Sequence, residues 1–211
     1  MVKLDKELEI MELNIMKMAN RVIQMHERLI DVLETPDKEV ELDIMQEDDI
    51  VNHLEEEIND QAVRSLALLS PVASDLRKVV ADIKIASELE RIGDYAKNIA
   101  KFLIKQEIDV PRIIGYAQAM EKHMIEMLQE TMKAYEARDV EAAFQIAKKD
   151  EYLNQLLKEL RNDVGNGVSL NIDHIFAVSS MLRNIERGGD HIKNICEHII
   201  YMEKGQHYDL S

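Results

Sequence analysis

The chain of 211 residues has no tryptophan, and aromatic side chains make up only 4% of it. Its apolar 46% is instead Leu, Ile, Val, Ala and twelve Met, a mixture that suits helix packing better than a sheet. Seven glycines and three prolines leave few turns, so the elements have to be long. A single cysteine, Cys196, excludes an internal disulfide. Bases are scarce: 26 Lys and Arg stand against 41 Asp and Glu, for a net charge of −15. That balance excludes nucleic acid as a partner, because phosphates require a basic footprint. It also excludes direct adhesion to anionic lipid. No stretch reaches the roughly 18 consecutive apolar residues of a membrane span, so direct membrane insertion is not expected. The segment Met1 to Ile10 alternates charged and apolar residues and does not read as a signal peptide. These features describe a cytosolic protein.

What the sequence does have is helical periodicity. Leu4, Leu8, Met11, Ile15, Met18, Val22, Met25 and Leu29 alternate spacings of four and three, a heptad seam of the kind that packs helices into bundles. The first helix ends near Thr35-Pro36-Asp37, where Pro suits the first turn of a new helix. A second helix runs to Leu69, and Ser70-Pro71 repeats the cap-and-start signal. The third carries the seam Ile85, Leu89, Ile92, Ala96, Ile99 and Leu103. Asp109 to Pro111 breaks the chain in the middle. The second half repeats the plan: a helix from Pro111 to about Ala137, another capped by Asp139 and ending at Gly165-Asn166-Gly167, and a last one from near Asn171 to Glu203. The expected fold is all-α, two tandem similar three-helix bundles made of six long antiparallel helices, with repeats at 1–108 and 109–211. A helix of about 30 residues is about 45 Å long, so an elongated molecule is expected.

The most specific signal is a duplication. Glu90 to Ile99 reads E-R-I-G-D-Y-A-K-N-I, and Glu186 to Ile195 reads E-R-G-G-D-H-I-K-N-I, at an offset of 96 residues. Most of the shared positions are polar, and packing alone does not demand polar identity. Residues i and i+4 share a helix face, so Glu90, Asp94 and Asn98 form one oxygen stripe and Glu186, Asp190 and Asn194 form its copy. Each stripe points away from its own helix's Ile/Leu seam and is expected to line an outer groove. The preceding helix of each half offers a counterpart, Asp48 with Asn52 and Asp150 with Asn154. Like charges at i and i+4 cost a few tenths of a kcal/mol, and Gly93 and Gly189 inside helices each cost about 1 kcal/mol relative to Ala. Repeating both unfavourable choices points to close helix approach beside a cation site. An almost all-oxygen set favours hard cations, Mg, Mn, Fe or Ca. Arg91 and Arg187 are read as facing another side, in an interhelical ion pair or a partner surface. Lys97 and Lys193 are read as flanking charges, His191 as a surface residue and Cys196 as packed.

Two other readings compete. A di-iron carboxylate enzyme would carry Glu-x-x-His pairs aimed into a bundle core, and no Glu here has His three residues later. A metal-free acidic adaptor would use the same stripes to dock a basic partner.

These segments resemble the PhoU family of phosphate-signalling regulators. Its repeated acidic motif is matched by Glu90…Asp94 and Glu186…Asp190, its proline-to-DLR segment by Ser70-Pro71-Val72-Ala73-Ser74-Asp75-Leu76-Arg77, and its second-helix motif by Asp48-Asp49-Ile50-Val51-Asn52. The sequence departs from the pattern at Asn171-Ile172-Asp173, at Asn52 and Asn154, and at the C-terminal Gln206-His207-Tyr208-Asp209. The resemblance implies a PhoU-like pair of bundles without enzymatic activity. It implies divalent or multinuclear metal (Fe, Zn, Mn or Mg) on each bundle, and a cytoplasmic homodimer. It further implies a negative regulator of phosphate uptake and of the phosphate-starvation response. The implied partners are the ATPase of a phosphate ABC transporter and a sensor histidine kinase.

Overall fold

The computed structural model describes residues 2–106, 110–165 and 172–210. Among them every element is a helix: α1 (Val2–Glu34), α2 (Lys38–Leu69), α3 (Ser74–Lys105), α4 (Pro111–Ala137), α5 (Val140–Ala147), α6 (Asp150–Gly165) and α7 (Ile172–Lys204). The first three pack on one another, α4 to α7 form the second bundle, and the bundles join chiefly along α3 and α7 and also along α1 and α4. The periodic seams are the reason. Leu4 to Leu29 on α1 are all buried, as are Ile85 to Ile99 on α3 and Met181 to Ile199 on α7, and together they form one continuous core. The proposed repeat boundary at 108/109 and the Asn166-Gly167 turn lie outside the described residues.

Three local expectations are corrected. Asp37, not Pro36, opens α2: its carboxylate accepts the N–H of Glu39 at 2.9 Å and of Val40 at 3.3 Å. Ser70 does not cap α3; it closes α2 in the left-handed region (φ 47°), and α3 begins at Ser74. The fifth expected helix is two pieces. Asp139 does cap α5, accepting from Ala142 N–H at 3.0 Å. The chain then turns at Lys148 and Lys149 before α6. His123 of α4 bonds the Lys149 carbonyl oxygen at 2.8 Å, and Lys149 Nζ reaches Glu130 at 2.6 Å, so groups on α4 take the place of helical continuation.

Charged groups cross the seam between bundles. His26 on α1 is fully buried, with Nδ1 2.9 Å from Glu121 Oε2 on α4 and Nε2 2.9 Å from the Ile92 carbonyl oxygen on α3. A carbonyl only accepts, so Nε2 donates; with Nδ1 donating to the carboxylate, the ring carries both protons. Burial works against this charge, but the Glu121 carboxylate and the Ile92 carbonyl outweigh it and hold His26 above its ordinary 6.5. A raised histidine pKa stabilises fully below the unfolded value and loses that contribution as pH rises through the native one. Melting temperature is therefore expected to fall as pH rises from about 6.5 through the native His26 pKa. The double replacement His26→Leu with Glu121→Met should remove this component, and an unchanged pH slope in that variant would contradict the assignment.

Candidate metal centre

In the first bundle the acids come from two adjacent helices. Asp48 is fixed in the interior of α2 and is 1% exposed, whereas Glu90 and Asp94 on α3 are half-buried. Asn52, one turn beyond Asp48, donates through Nδ2 to Asp48 Oδ2 at 3.2 Å. Between the helices lies Lys97. Its ammonium is 2.5 Å from Asp48 Oδ2 and 2.8 Å from Asp94 Oδ1. Burial pushes Glu90 above the usual carboxylate range, helped by the negative charges of Asp94, Asp48 and Glu55. Burial alone would lower Lys97; its hydrogen bonds to Asp48 and Asp94 raise it instead.

The second bundle repeats the arrangement with looser geometry. Asp150, 4% exposed, is the first residue of α6, and Asn154 donates to its Oδ2 at 3.3 Å. Lys193 Nζ is 3.3 Å from Asp150 Oδ2 and 3.4 Å from Asp190 Oδ1. Glu186 is held above the usual range by burial and by Asp190 and Asp150, and Asp150 by burial and Asp190 against the opposing charge of Lys193.

The inserted glycines let the helices meet here. A Cβ on Gly93 would sit 3.3 Å from Val51 Cγ1 on α2, and a Cβ on Gly189 would sit 2.5 Å from Asp150 Oδ1 and Leu153 Cδ1 on α6. Close approach, expected from the two unfavourable glycines, is what the backbone does.

The structure thus links Asp48, Asn52 and Asp94 around Lys97, with Glu90 near enough to feel their charge, and likewise Asp150, Asn154 and Asp190 around Lys193, with Glu186 nearby. It leaves Asn98 exposed and sends Asn194 elsewhere, to Glu88 Oε2 at 3.2 Å across the seam between bundles. The sites are not wholly outward: the second-helix aspartates are buried, because α2 and α6 lay that face against α3 and α7. Arg91 faces its own stripe, 3.6 Å from Glu90 and 3.9 Å from Asp94, while Arg187 lies 5.3 Å over the Tyr95 ring.

Sequence reading missed two groups. The first is the lysine pair; position 97 and its repeat at 193 were the available signal. The second surrounds His191, which lies at the seam and not on open surface. His191 Nδ1 meets Glu88 Oε2 at 2.5 Å, and its Nε2 lies 2.9 Å from the Tyr95 hydroxyl. Glu88 also faces His198 at 3.7 Å. Burial opposes its charge, but these histidines and Asn194 outweigh it and hold Glu88 down to about 2. Tyr95 and His191 occupy equivalent positions of the duplicated segment, so the repeats meet each other there. Cys196 is packed as expected, 3.6 Å from Thr131 Oγ1, and burial pushes its thiol up to about 11.

Do these residues fit a metal? Asp48 Oδ1, Asn52 Oδ1 and Asp150 Oδ1 are buried oxygens with no hydrogen-bond partner. Such orphans are costly, and a cation satisfies them. The donor set is all oxygen, which matches hard divalent ions. Among the described residues, no group of three or more His, Cys, Asp or Glu is placed so that it could hold a metal ion as it stands. Each aspartate pair closes on a lysine instead.

Fold and site together define an acidic helical scaffold of two repeated bundles, each with a carboxylate–lysine centre between adjacent helices. The PhoU domain model matches the sequence twice, over residues 15–103 and 118–199. The chain belongs to the PhoU family. The PhoU homolog 1 of Thermotoga maritima, named a phosphate-specific transport system accessory protein, is 30% identical over 97% of this chain and 90% of its own length. PhoU of Escherichia coli K12, named in the same way, is 30% identical over 96% of this chain and 86% of its own. The crystal structure of PhoU from Streptococcus pneumoniae superposes with a TM-score of 0.88 at 28% identity, covering 98% of this chain and 99% of that one. PhoU from Pseudomonas aeruginosa gives 0.87 at 29% identity, over 96% and 99%.

Proposed function

We propose that this protein is a non-enzymatic, cytoplasmic, metal-binding regulator that restrains phosphate uptake and the phosphate-starvation response. Its partners are the ATPase of a phosphate ABC transporter and a sensor histidine kinase, and it works as a homodimer. Membership of a family whose relatives are named as accessory proteins of phosphate-specific transport supports the regulatory part. Among the described residues no helix is long and apolar enough to cross a membrane, so the proposed route to the transporter is contact with its cytoplasmic protein face.

One observation carries the metal part: at equivalent places in the two bundles, a buried aspartate keeps one oxygen without a partner. Asp48, Asn52, Glu90 and Asp94 would hold an ion in one bundle, and Asp150, Asn154, Glu186 and Asp190 in the other. A bound divalent ion supplies positive charge that offsets repulsion among these acids. Asp48 and Asp150 anchor each site from within, while Glu90 and Glu186 remain partly open to water or a partner's side chain.

A second reading is favoured by the lysines, which already neutralise part of each site: a metal-free adaptor whose half-exposed acids dock a basic partner. Metal analysis of the purified protein separates the two. For the regulatory reading, deleting the gene should derepress phosphate-scavenging genes in phosphate-rich medium. Normal repression in a deletion strain without a second copy would count against it.

A further inference from the structure

We propose that Lys97 and Lys193 are exchangeable counter-cations: each ammonium holds its aspartate pair when no metal is bound, and a divalent ion enters only by displacing it. This rests on the metal reading above and adds to it the means by which occupancy is controlled. Three observations carry it.

The first is position. Lys97 bridges α2 and α3 through Asp48 and Asp94, and Lys193 bridges α6 and α7 through Asp150 and Asp190, with the same pairing in both bundles. A flanking charge has no reason to span two helices twice at the same point of a repeat.

The second is incompleteness. Each lysine engages Oδ2 of the buried aspartate and leaves Oδ1 without a partner, and Asn52 Oδ1 is orphaned too. One ammonium, with three donors spread about a single point, does not satisfy a cluster of Asp48, Glu90 and Asp94, and Arg91 at 3.6 Å from Glu90 and 3.9 Å from Asp94 reaches only the two outer acids, leaving Asp48 Oδ1 unpartnered. A divalent ion takes six or more oxygens at about 2.0–2.6 Å and carries twice the charge. The site therefore holds more oxygen and more negative charge than its resident cation uses.

The third is mobility of the stem. Lysine is a flexible four-carbon chain with a compact, strongly hydrated head, and the Lys97 side chain is 31% exposed. It can swing from the aspartates to water without moving a helix. Loading would then place a free ammonium beside each site, so that the charge presented to a partner changes in sign locally as well as in amount.

The two sites differ. Lys97 lies 2.5 and 2.8 Å from its aspartates, Lys193 lies 3.3 and 3.4 Å from its own, and Asp190 is 50% exposed against 27% for Asp94. Lys193 is less exposed, at 14% against 31% for Lys97, but its longer contacts hold it less tightly, so the second bundle is expected to load first.

The test is titration of the chelator-stripped full chain with Mn2+, and in parallel Zn2+, followed by calorimetry. Wild type is compared with Lys97→Met, Lys193→Met and the double variant, with helicity checked by circular dichroism. Gln at both positions is the second set should a Met variant fail to fold. Wild type should show two affinities. Each single replacement should tighten one of them about ten- to hundredfold, the factor represented by a displaced charge-assisted hydrogen bond. The metal-free variants should melt below wild type and gain more on loading. Equal or weaker affinity in the variants would overturn the exchange and leave the metal reading standing. Absence of binding in every protein, the double variant included, would overturn the metal reading and the exchange with it.

Discussion

Replacing Lys78 by Met is expected to cost about 3–5 kcal/mol of stability, the range seen when one partner of a buried ion pair is removed. Lys78 on α3 is 5% exposed, Asp82 one turn along is fully buried, and Tyr135 on α4 is 1% exposed. The Lys78 ammonium lies 3.0 Å from Glu12 Oε2 on α1, 3.2 Å from Asp82 Oδ2 and 3.1 Å from the Tyr135 hydroxyl. Tyr135 in turn donates to Asp82 Oδ1 at 2.8 Å. Three helices and both bundles are tied at this one point. Burial already holds Asp82 above the usual carboxylate range and Lys78 opposes that, so without Lys78 the core must carry an unpaired charge or Asp82 must take up a proton, with only a phenol to face. The double replacement Lys78→Met with Asp82→Leu removes both charges and should recover most of the loss, since a well-packed apolar pair is often as stable as the ion pair it replaces. Urea denaturation measures both. A single variant within about 1 kcal/mol of wild type would mean that Asp82 is not ionised in the folded protein.

Exchanging Asp48 and Asp150 for Asn should remove bound metal almost entirely, with affinity at each site falling on the order of a hundredfold or more as a ligand charge is lost. These two positions are chosen because they are buried at 1% and 4%, with one oxygen each unpartnered, while the stripe acids retain water as an alternative. Asn keeps the shape, so helicity by circular dichroism should survive. Lys97 retains Asp94 at 2.8 Å and Lys193 retains Asp190 at 3.4 Å, so neither ammonium is left without a carboxylate. Metal content unchanged in the double variant, measured by elemental analysis after purification, would remove these aspartates from the site.

Much of this molecule was legible one residue at a time. Helix period is a local property, so the spacing of Leu4 to Leu29 and of Ile85 to Ile99 was enough to locate the helices and the faces they bury. The match between Glu90–Ile99 and Glu186–Ile195 was enough to mark two equivalent acidic stripes, because polar residues recur there at the same spacing. Caps were less legible. Thr35-Pro36-Asp37 and Ser70-Pro71 each allow several registers, and only the backbone shows that Asp37 accepts the first N–H groups and that Ser70 closes a helix. The break at Lys148 and Lys149 was invisible, since it is held by His123 and Glu130 on another helix.

The sequence alone, then, settles an all-helical two-repeat scaffold and which acids share a helix face, because both follow from patterns within single helices. Which cation stands among those acids, whether Asp48 and Asp150 face water or core, and how His26, Lys78 and Glu88 join the bundles belong to the tertiary structure. They depend on the rotation and offset of one helix against another. Those quantities come from packing side chains far apart in the chain, 43 residues between Lys193 and Asp150 and 103 between His191 and Glu88, and no local spacing records them.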